Sequence, residues 1–169
     1  MINCKQLPLR KIEGMSYTKL EHFFKLGNHL FKDRYLDAPH WKSFDLYTDE
    51  KESPMLKHFP YIKYWALMLV KYNGLKSIKH AYLSVLAPKQ QIPWHVDMQR
   101  EGYNKAFITS LFTDNSVIEF KDDRKYIYKQ GFSYLLQTGV DHRIINMSDK
   151  YRFTLCITPE ENPYVSMDN

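Results

Sequence analysis

Ile78-Lys79-His80-Ala81-Tyr82-Leu83-Ser84-Val85-Leu86 opens the stretch that decides the fold, which runs from residue 78 to residue 159. Ala81, Leu83 and Val85 fall on one face of this segment and Tyr82 and Ser84 on the other, and this period of two is typical of a β-strand. The period recurs downstream and predicts eight short strands separated by polar turns. We place them at residues 79–86, 92–97, 105–112, 116–121, 124–129, 132–137, 142–146 and 151–157.

Two helices are predicted before these strands. Thr18 and Glu21 form a capping-box pair, and apolar residues then recur near helical spacing up to about Lys32. Pro60 is a favoured first helical position and predicts a second helix that ends at Asn73-Gly74. Two helices followed by eight strands do not make alternating βαβ units. The sequence therefore predicts a mainly β fold, a double-stranded β-helix (jelly roll, cupin-like), with an N-terminal α layer on its larger sheet.

Length and composition favour a single intracellular domain. The 169 residues, 44% of them hydrophobic, suffice for one core. We expect one domain over residues 1–169, with an N-terminal helical layer and loop at 1–77 and an eight-stranded jelly-roll core at 78–159. Within the first part, residues 33–58 are predicted to form a long loop with a candidate strand at 42–47. The start resembles no signal peptide and no apolar run could span a membrane, so we expect a cytoplasmic protein with both cysteines reduced.

Arg152 is the first residue that points to a ligand. In the last predicted strand it alternates with Phe153, so it shares a face with Thr154 and Cys156. That polar face is expected to line the interior of the barrel, where an unpaired guanidinium is very costly. Either an anionic ligand or a structural ion pair would satisfy it. The net charge of +5 suits an acidic small molecule or nucleic acid and does not choose between them.

Three other residues suit a metal. His95-Val96-Asp97 closes the second predicted strand, and an H-x-D tripeptide places both side chains on one face of a strand end. The tripeptide alone is a weak signal, because short motifs often occur by chance. His142 opens the seventh strand, and an antiparallel barrel can bring it to the same cavity. Two imidazoles and a carboxylate are the facial triad of mononuclear non-haem Fe(II) oxygenases, although a zinc hydrolase could use the same three ligands.

The region from Ser84 to Thr158 resembles the Fe(II)/2-oxoglutarate-dependent oxygenases, and within them the aspartyl/asparaginyl β-hydroxylase group. The resemblance is carried by Ser84-Val85-Leu86-Ala87-Pro88, Ile92-Pro93-Trp94-His95-Val96-Asp97 and His142-Arg143-Ile144-Ile145-Asn146-Met147-Ser148, followed by Arg152. It implies a dioxygenase that uses Fe(II), 2-oxoglutarate and O₂. It further implies that His95, Asp97 and His142 hold the iron. Arg152 would bind the distal carboxylate of 2-oxoglutarate, helped by Thr154 and Ser84, and Asn146 would support the site or pair strands.

The activity implied by the resemblance is hydroxylation of an amino-acid side chain, in a protein or a free amino acid, with release of succinate and CO₂. No catalytic residue beyond the metal ligands is expected. The sequence departs from the group at Lys105-Ala106-Phe107, where an Arg-x-His is usual, so the primary substrate stays open. A nucleic-acid dealkylase of the same fold is one alternative, although Thr158 stands where that family has a second Arg. A non-catalytic cupin-like binding protein is another. We expect residues 32–58 and the turn at 98–104 to select the substrate.

Overall fold

The computed structural model describes residues 4–7, 16–34, 38–48, 51–58, 60–72, 77–97, 105–113 and 115–159. The α-helices within these ranges are α1 (Tyr17–Leu26) and α2 (Pro60–Tyr72), and short 3-10 helices follow α1 and precede α2. The strands are β1 (Cys4–Gln6), β2 (Lys32–Asp33), β3 (Trp41–Thr48), β4 (Lys51–Glu52), β5 (Ile78–Leu86), β6 (Gln91–His95), β7 (Lys105–Phe112), β8 (Ser116–Phe120), β9 (Lys125–Ile127), β10 (Ser133–Gln137), β11 (His142–Asn146) and β12 (Arg152–Pro159). The eight strands predicted after residue 77 are therefore present, with ends that differ from the prediction by two residues at most.

The strands form two antiparallel sheets. The larger sheet has the order β1-β10-β7-β12-β5-β3-β2, with β4 paired to β3, and the smaller has the order β6-β11-β8-β9. The eight strands from β5 to β12 thus divide equally between the sheets, and consecutive strands such as β5 and β6 lie in opposite sheets. This is the connectivity of a double-stranded β-helix, and the predicted fold class is confirmed.

Side-chain parity separates two apolar layers. Leu83 and Val85 of β5, with Phe153 and Leu155 of β12, are buried in the layer that also contains apolar residues of α1 and α2. The opposite face of the same strands belongs to a second cluster between the sheets, where Cys156 packs. The helices therefore cover the outside of the larger sheet, as predicted, and the polar face of β12 points into the barrel. Neither helix among the described residues is both long and apolar enough to cross a bilayer.

The N-terminal half contributes strands as well as helices. β3 contains the strand predicted at residues 42–47, and it extends the larger sheet by pairing with β5. Phe44 and Leu46 are buried in the helix-covered layer, whereas Trp41 is buried between the sheets. Part of the region predicted as a long loop, residues 33–58, is thus a strand of the larger sheet. This placement brings the start of β3 next to Ser84 on the inner face of the barrel.

The ends of α1 differ from the prediction. Ser16, not Thr18, is the N-cap, and its side chain accepts a hydrogen bond from the Lys19 amide. Glu21 does not complete a capping box, because it accepts a hydrogen bond from the Tyr17 hydroxyl and pairs with Lys25. The helix ends at Leu26, before Gly27, whose amide donates to the Phe23 carbonyl at 2.8 Å. The first residue of α2 is Pro60, as predicted, and its predicted stop at Asn73-Gly74 lies outside the described residues.

Candidate metal centre

His95 and His142 are cross-strand partners. β6 and β11 pair antiparallel in the smaller sheet, with His142 directly opposite His95. Their ring centroids are 4.3 Å apart. Asp97 lies two residues beyond His95, just after the end of β6, and its amide donates to the Thr138 carbonyl at 3.1 Å. One ligand atom from each of the three side chains lies within 4.8 Å of the other two, so the sequence-predicted triad is brought together at one point.

Each imidazole is oriented by a hydrogen bond between its Nδ1 atom and a backbone carbonyl oxygen. His95 Nδ1 lies 2.7 Å from the Pro93 carbonyl oxygen, and His142 Nδ1 lies 2.8 Å from the Val140 carbonyl oxygen. A carbonyl oxygen only accepts, so each Nδ1 is the donor, and the tautomer in which a ring binds a metal then has its lone pair on Nε2. His95 Nε2 is 3.6 Å from a carboxylate oxygen of Asp97. Burial and the neighbouring His95 lower the pKa of His142, which favours the neutral imidazole that binds metals.

The predicted site residues Ser84, His95, Asp97, His142, Arg152 and Thr154 line a single cavity between the sheets. Arg152 pairs with Leu86 across β12 and β5, and Thr154 pairs with Ser84. The polar side chains of Arg152, Thr154 and Ser84 therefore lie next to one another on the inner wall of the barrel. Both hydroxyl residues are buried, at 2% exposure for Ser84 and 0% for Thr154. The cavity therefore has a candidate metal triad and a polar, cationic wall.

Arg152 is buried without a counter-charge. Its exposure is 2%, and Nη1 donates to the Thr154 hydroxyl at 3.4 Å. The other two guanidinium nitrogens, Nε and Nη2, have no hydrogen-bond partner, and no carboxylate among the described residues forms an ion pair with Arg152. Burial lowers the pKa of this guanidinium. Of the two explanations open from the sequence, a structural ion pair is therefore absent from the described part of the chain, and the nitrogens suit an anionic ligand.

Trp41 is a site residue that the sequence did not predict. It lines the cavity, its ring centroid is 5.5 Å from that of His95, and Nε1 donates to the Ser84 hydroxyl oxygen at 2.9 Å. Because that oxygen accepts from the indole, the Ser84 hydroxyl proton is not used in this hydrogen bond. Trp41 lies 43 residues before Ser84, and its local sequence indicates only a strand. Only the pairing of β3 with β5 reveals its place.

Arg34 packs against Tyr82, a residue of the cavity wall. Tyr82 lines the cavity, and the Arg34 guanidinium carbon lies 4.0 Å from the centroid of its ring. Arg34 follows β2, and its amide donates to the Trp41 carbonyl at 3.1 Å. This part of the region predicted at 32–58 to select substrate thus lies beside the cavity, whereas the turn predicted at 98–104 lies outside the described residues.

Asn146 ties strand ends together away from the triad. It is 1% exposed, and its amide nitrogen lies 2.8–3.3 Å from the backbone carbonyl oxygens of Leu86, Ala87 and Lys150. Its side-chain oxygen accepts from the Ser148 amide at 3.2 Å. These contacts join the end of β5 to the turn between β11 and β12, just before Arg152.

Lys105-Ala106-Phe107, which replaces the Arg-x-His usual in the hydroxylase group, lies at the start of β7. Ala106 and Ile108 belong to the cluster between the sheets, whereas Phe107 packs in the helix-covered layer. The inward positions of this part of β7 therefore offer the cavity only apolar side chains. Arg152 is the cation that the larger sheet contributes to the described cavity wall.

Comparison with known proteins also indicates a hydroxylase. A family model described as aspartyl/asparaginyl beta-hydroxylase matches residues 10–161. No curated protein matches the chain significantly by sequence. Similar solved structures include a 2OG-Fe(II) oxygenase family oxidoreductase from Burkholderia pseudomallei, with 10% identity, TM-score 0.61 and coverage of 95% of this chain and 85% of that one.

Two prolyl hydroxylases have the same fold. A prolyl-4-hydroxylase from Pseudomonas putida gives 8% identity and TM-score 0.59, covering 95% of this chain and 94% of that one. The other, from Trichoplax adhaerens, is in complex with a peptide of the hypoxia inducible factor oxygen degradation domain, with 10% identity, TM-score 0.62 and 93% and 83% coverage. At these identities the structures establish the fold, whereas the family model spans most of the sequence. The chain therefore belongs to the aspartyl/asparaginyl beta-hydroxylase family and is a 2-oxoglutarate-dependent hydroxylase.

Proposed function

We propose that residues 1–169 act as one oxygenase domain in which His95, Asp97 and His142 hold Fe(II) and Arg152 anchors 2-oxoglutarate. The observation that carries this proposal is the coincidence, in one cavity, of three convergent metal-binding side chains and a buried guanidinium with two unpartnered nitrogens. A metal alone would leave Arg152 unexplained, and so would zinc-dependent hydrolysis. A bound dicarboxylate satisfies both ends of the cavity.

The donor set suits Fe(II). Two imidazoles and one carboxylate that converge on one point make a facial triad, which leaves adjacent positions for further ligands. The carbonyl oxygens of Pro93 and Val140 fix the tautomer and orientation of the two rings before any metal binds. Because His95 and His142 also face each other across β6 and β11, the strand pairing itself sets their separation. These residues therefore hold the metal with little rearrangement.

The opposite wall suits a carboxylate. Arg152 would donate through Nε and Nη2. The Thr154 hydroxyl accepts from Nη1 and lies 4.0 Å from Cys156 Sγ, and it would turn its proton to a carboxylate oxygen when one is bound. Ser84 accepts from Trp41 and is free to donate in the same way. The three residues thus give a buried carboxylate charge compensation and several hydrogen bonds.

Fe(II), 2-oxoglutarate and O₂ together would supply the oxidising chemistry that hydroxylates a substrate C–H bond and releases succinate and CO₂. The chain's part is to orient the ligands and to exclude water. Trp41, Ile92 and Ile144 line the cavity beside the polar residues, and each is at least nine-tenths buried. This apolar surround limits the access of water to the site.

For the primary substrate, we infer an amino-acid side chain, presented by a protein or as a free amino acid. The family description and the peptide complex of the Trichoplax prolyl hydroxylase support this class. Tyr82 in the cavity wall and Arg34 packed over its ring lie outside the family's metal motif, and we expect them to contact the primary substrate. We propose residues 32–58 as one segment that selects the substrate.

The test is an anaerobic titration of the purified protein with Fe(II) and then 2-oxoglutarate. We expect a weak visible charge-transfer band when the 2-oxo acid chelates the metal, and no band in His95→Ala. Stimulated succinate formation on addition of candidate amino acids and peptides would then identify the substrate. Folded wild-type protein that binds neither Fe(II) nor 2-oxoglutarate would contradict the proposed function.

A further inference from the structure

Tyr128 lies beside Arg152, and its buried hydroxyl has no hydrogen-bond partner among the described residues. Four buried side-chain polar atoms of the described residues lack a hydrogen-bond partner, and three of them are Arg152 Nε, Arg152 Nη2 and the Tyr128 hydroxyl. Tyr128 is 2% exposed, and the Arg152 guanidinium carbon lies 5.1 Å from the centroid of its ring. The unsatisfied polarity of the interior is therefore concentrated around one guanidinium and the aromatic ring next to it.

A neighbouring tyrosine shows how the same fold satisfies such a group. The Tyr134 ring packs edge-on against Tyr128, with centroids 5.0 Å apart, and its hydroxyl accepts a hydrogen bond from the Lys129 amide at 2.7 Å. A buried hydroxyl without a partner has an uncompensated desolvation cost. The Tyr128 hydroxyl therefore has an uncompensated cost that the Tyr134 hydroxyl avoids, and the guanidinium that lies over the Tyr128 ring, that of Arg152, also has two nitrogens without a partner among the described residues.

We propose that Tyr128 is a further 2-oxoglutarate-binding residue, whose hydroxyl donates a hydrogen bond to the distal carboxylate held by Arg152. This inference rests on the function proposed above and adds a residue that the sequence motifs do not contain. Burial raises the pKa of the Tyr128 hydroxyl well above its usual value, so the group keeps its proton and can donate. One carboxylate would then satisfy the orphaned atoms of both side chains.

The experiment compares Tyr128→Phe with Tyr134→Phe, two identical changes at adjacent buried rings. Each variant and the wild type are titrated anaerobically with Fe(II), then with 2-oxoglutarate, and separately with pyruvate, which has the 2-oxo acid end and lacks the distal carboxylate. Thermal unfolding of the ligand-free proteins is measured alongside. The pyruvate titration separates a contact with the distal carboxylate from a general disturbance of the cavity.

The two variants should respond in opposite ways. Tyr128→Phe should weaken 2-oxoglutarate binding about tenfold or more, since hydrogen bonds to charged groups are strong, while pyruvate and Fe(II) binding stay unchanged. Its ligand-free melting temperature should be equal to or above that of the wild type, because the change removes an unsatisfied hydroxyl. Tyr134→Phe should lower the melting temperature and leave 2-oxoglutarate affinity unchanged.

A Tyr128→Phe protein that binds 2-oxoglutarate as tightly as the wild type would overturn the assignment of Tyr128. So would a variant that is less stable without ligand and loses pyruvate and 2-oxoglutarate affinity equally, since that is the behaviour of a packing residue. In both cases the wild type still binds 2-oxoglutarate and the proposed function stands. Wild-type protein with no affinity for 2-oxoglutarate would instead remove the proposed function and this inference together.

Discussion

Replacing Arg152 by Met tests the cationic wall of the cavity most directly. Met retains most of the apolar volume of the stem and removes the guanidinium, so it leaves a smaller void than Ala would. Two guanidinium nitrogens, Nε and Nη2, have no hydrogen-bond partner among the described residues and would donate hydrogen bonds to the distal carboxylate. At about 1.5–3 kcal/mol for each hydrogen bond to a charged group, we expect a loss of about 3–6 kcal/mol of binding free energy. That corresponds to a rise of about 10²- to 10⁴-fold in the Kd for 2-oxoglutarate.

The assay for Arg152→Met is the anaerobic titration with Fe(II) followed by 2-oxoglutarate. Fe(II) affinity should stay within a few-fold of the wild type, because Arg152 is not one of the three converging ligands. Arg143→Met is the matched control, since Arg143 pairs with Glu119 at 2.7 Å and does not line the cavity. Unchanged 2-oxoglutarate affinity in folded Arg152→Met, or an equal loss of metal and 2-oxoglutarate, would refute the reasoning.

Three further changes have distinct expected outcomes. His95→Ala should abolish tight Fe(II) binding in a metal titration, because it removes one of the two proposed imidazole ligands. Trp41→Phe should raise the Kd for 2-oxoglutarate about 2- to 10-fold without affecting Fe(II), since it removes the donor that orients Ser84. Asn146→Asp should lower the free energy of unfolding in urea by about 2–4 kcal/mol, because a carboxylate would then face three carbonyl oxygens.

Each of these outcomes has a clear contrary. Tight Fe(II) binding by His95→Ala would show that the metal lies elsewhere. A Trp41→Phe protein with wild-type 2-oxoglutarate affinity would remove the role given to the Ser84 hydroxyl. An Asn146→Asp protein as stable as the wild type would mean that the contacts around Asn146 contribute little to holding the strand ends.

The fold could be predicted largely because parity is a local property. Alternation in residues 78–86 and 151–157 is enough to assign Leu83 and Leu155 to the helix-covered layer and Ser84 and Thr154 to the barrel interior, and the structure agrees. The triad could be anticipated for a related reason. His95 and Asp97 are two residues apart, and antiparallel pairing of the second and seventh strands places His142 opposite His95.

The features that sequence reasoning missed depend on contacts between distant segments. Trp41 reaches Ser84 only because β3 joins β5, and nothing near Trp41 in the sequence specifies that partner. Tyr128 reads as an ordinary strand residue until its ring is found beside Arg152. The capping error at Thr18 has a different origin, since Ser16 and Thr18 are both competent caps, and the choice depends on where packing of α1 begins.

The uncompensated charge of Arg152 links ligand binding to stability. Folding places the guanidinium between the sheets without a carboxylate partner among the described residues, and these residues therefore do not offset its desolvation cost. A dicarboxylate that brings the missing charge would bind the folded state and not the unfolded one, and its stabilisation of the fold would then increase with the logarithm of one plus the ratio of its concentration to Kd. The same argument predicts that pyruvate stabilises the iron-loaded protein much less than 2-oxoglutarate does. On the proposed assignment of Arg152, the stability lost by burying this charge is what would give the site its selectivity for an anion with a distal carboxylate.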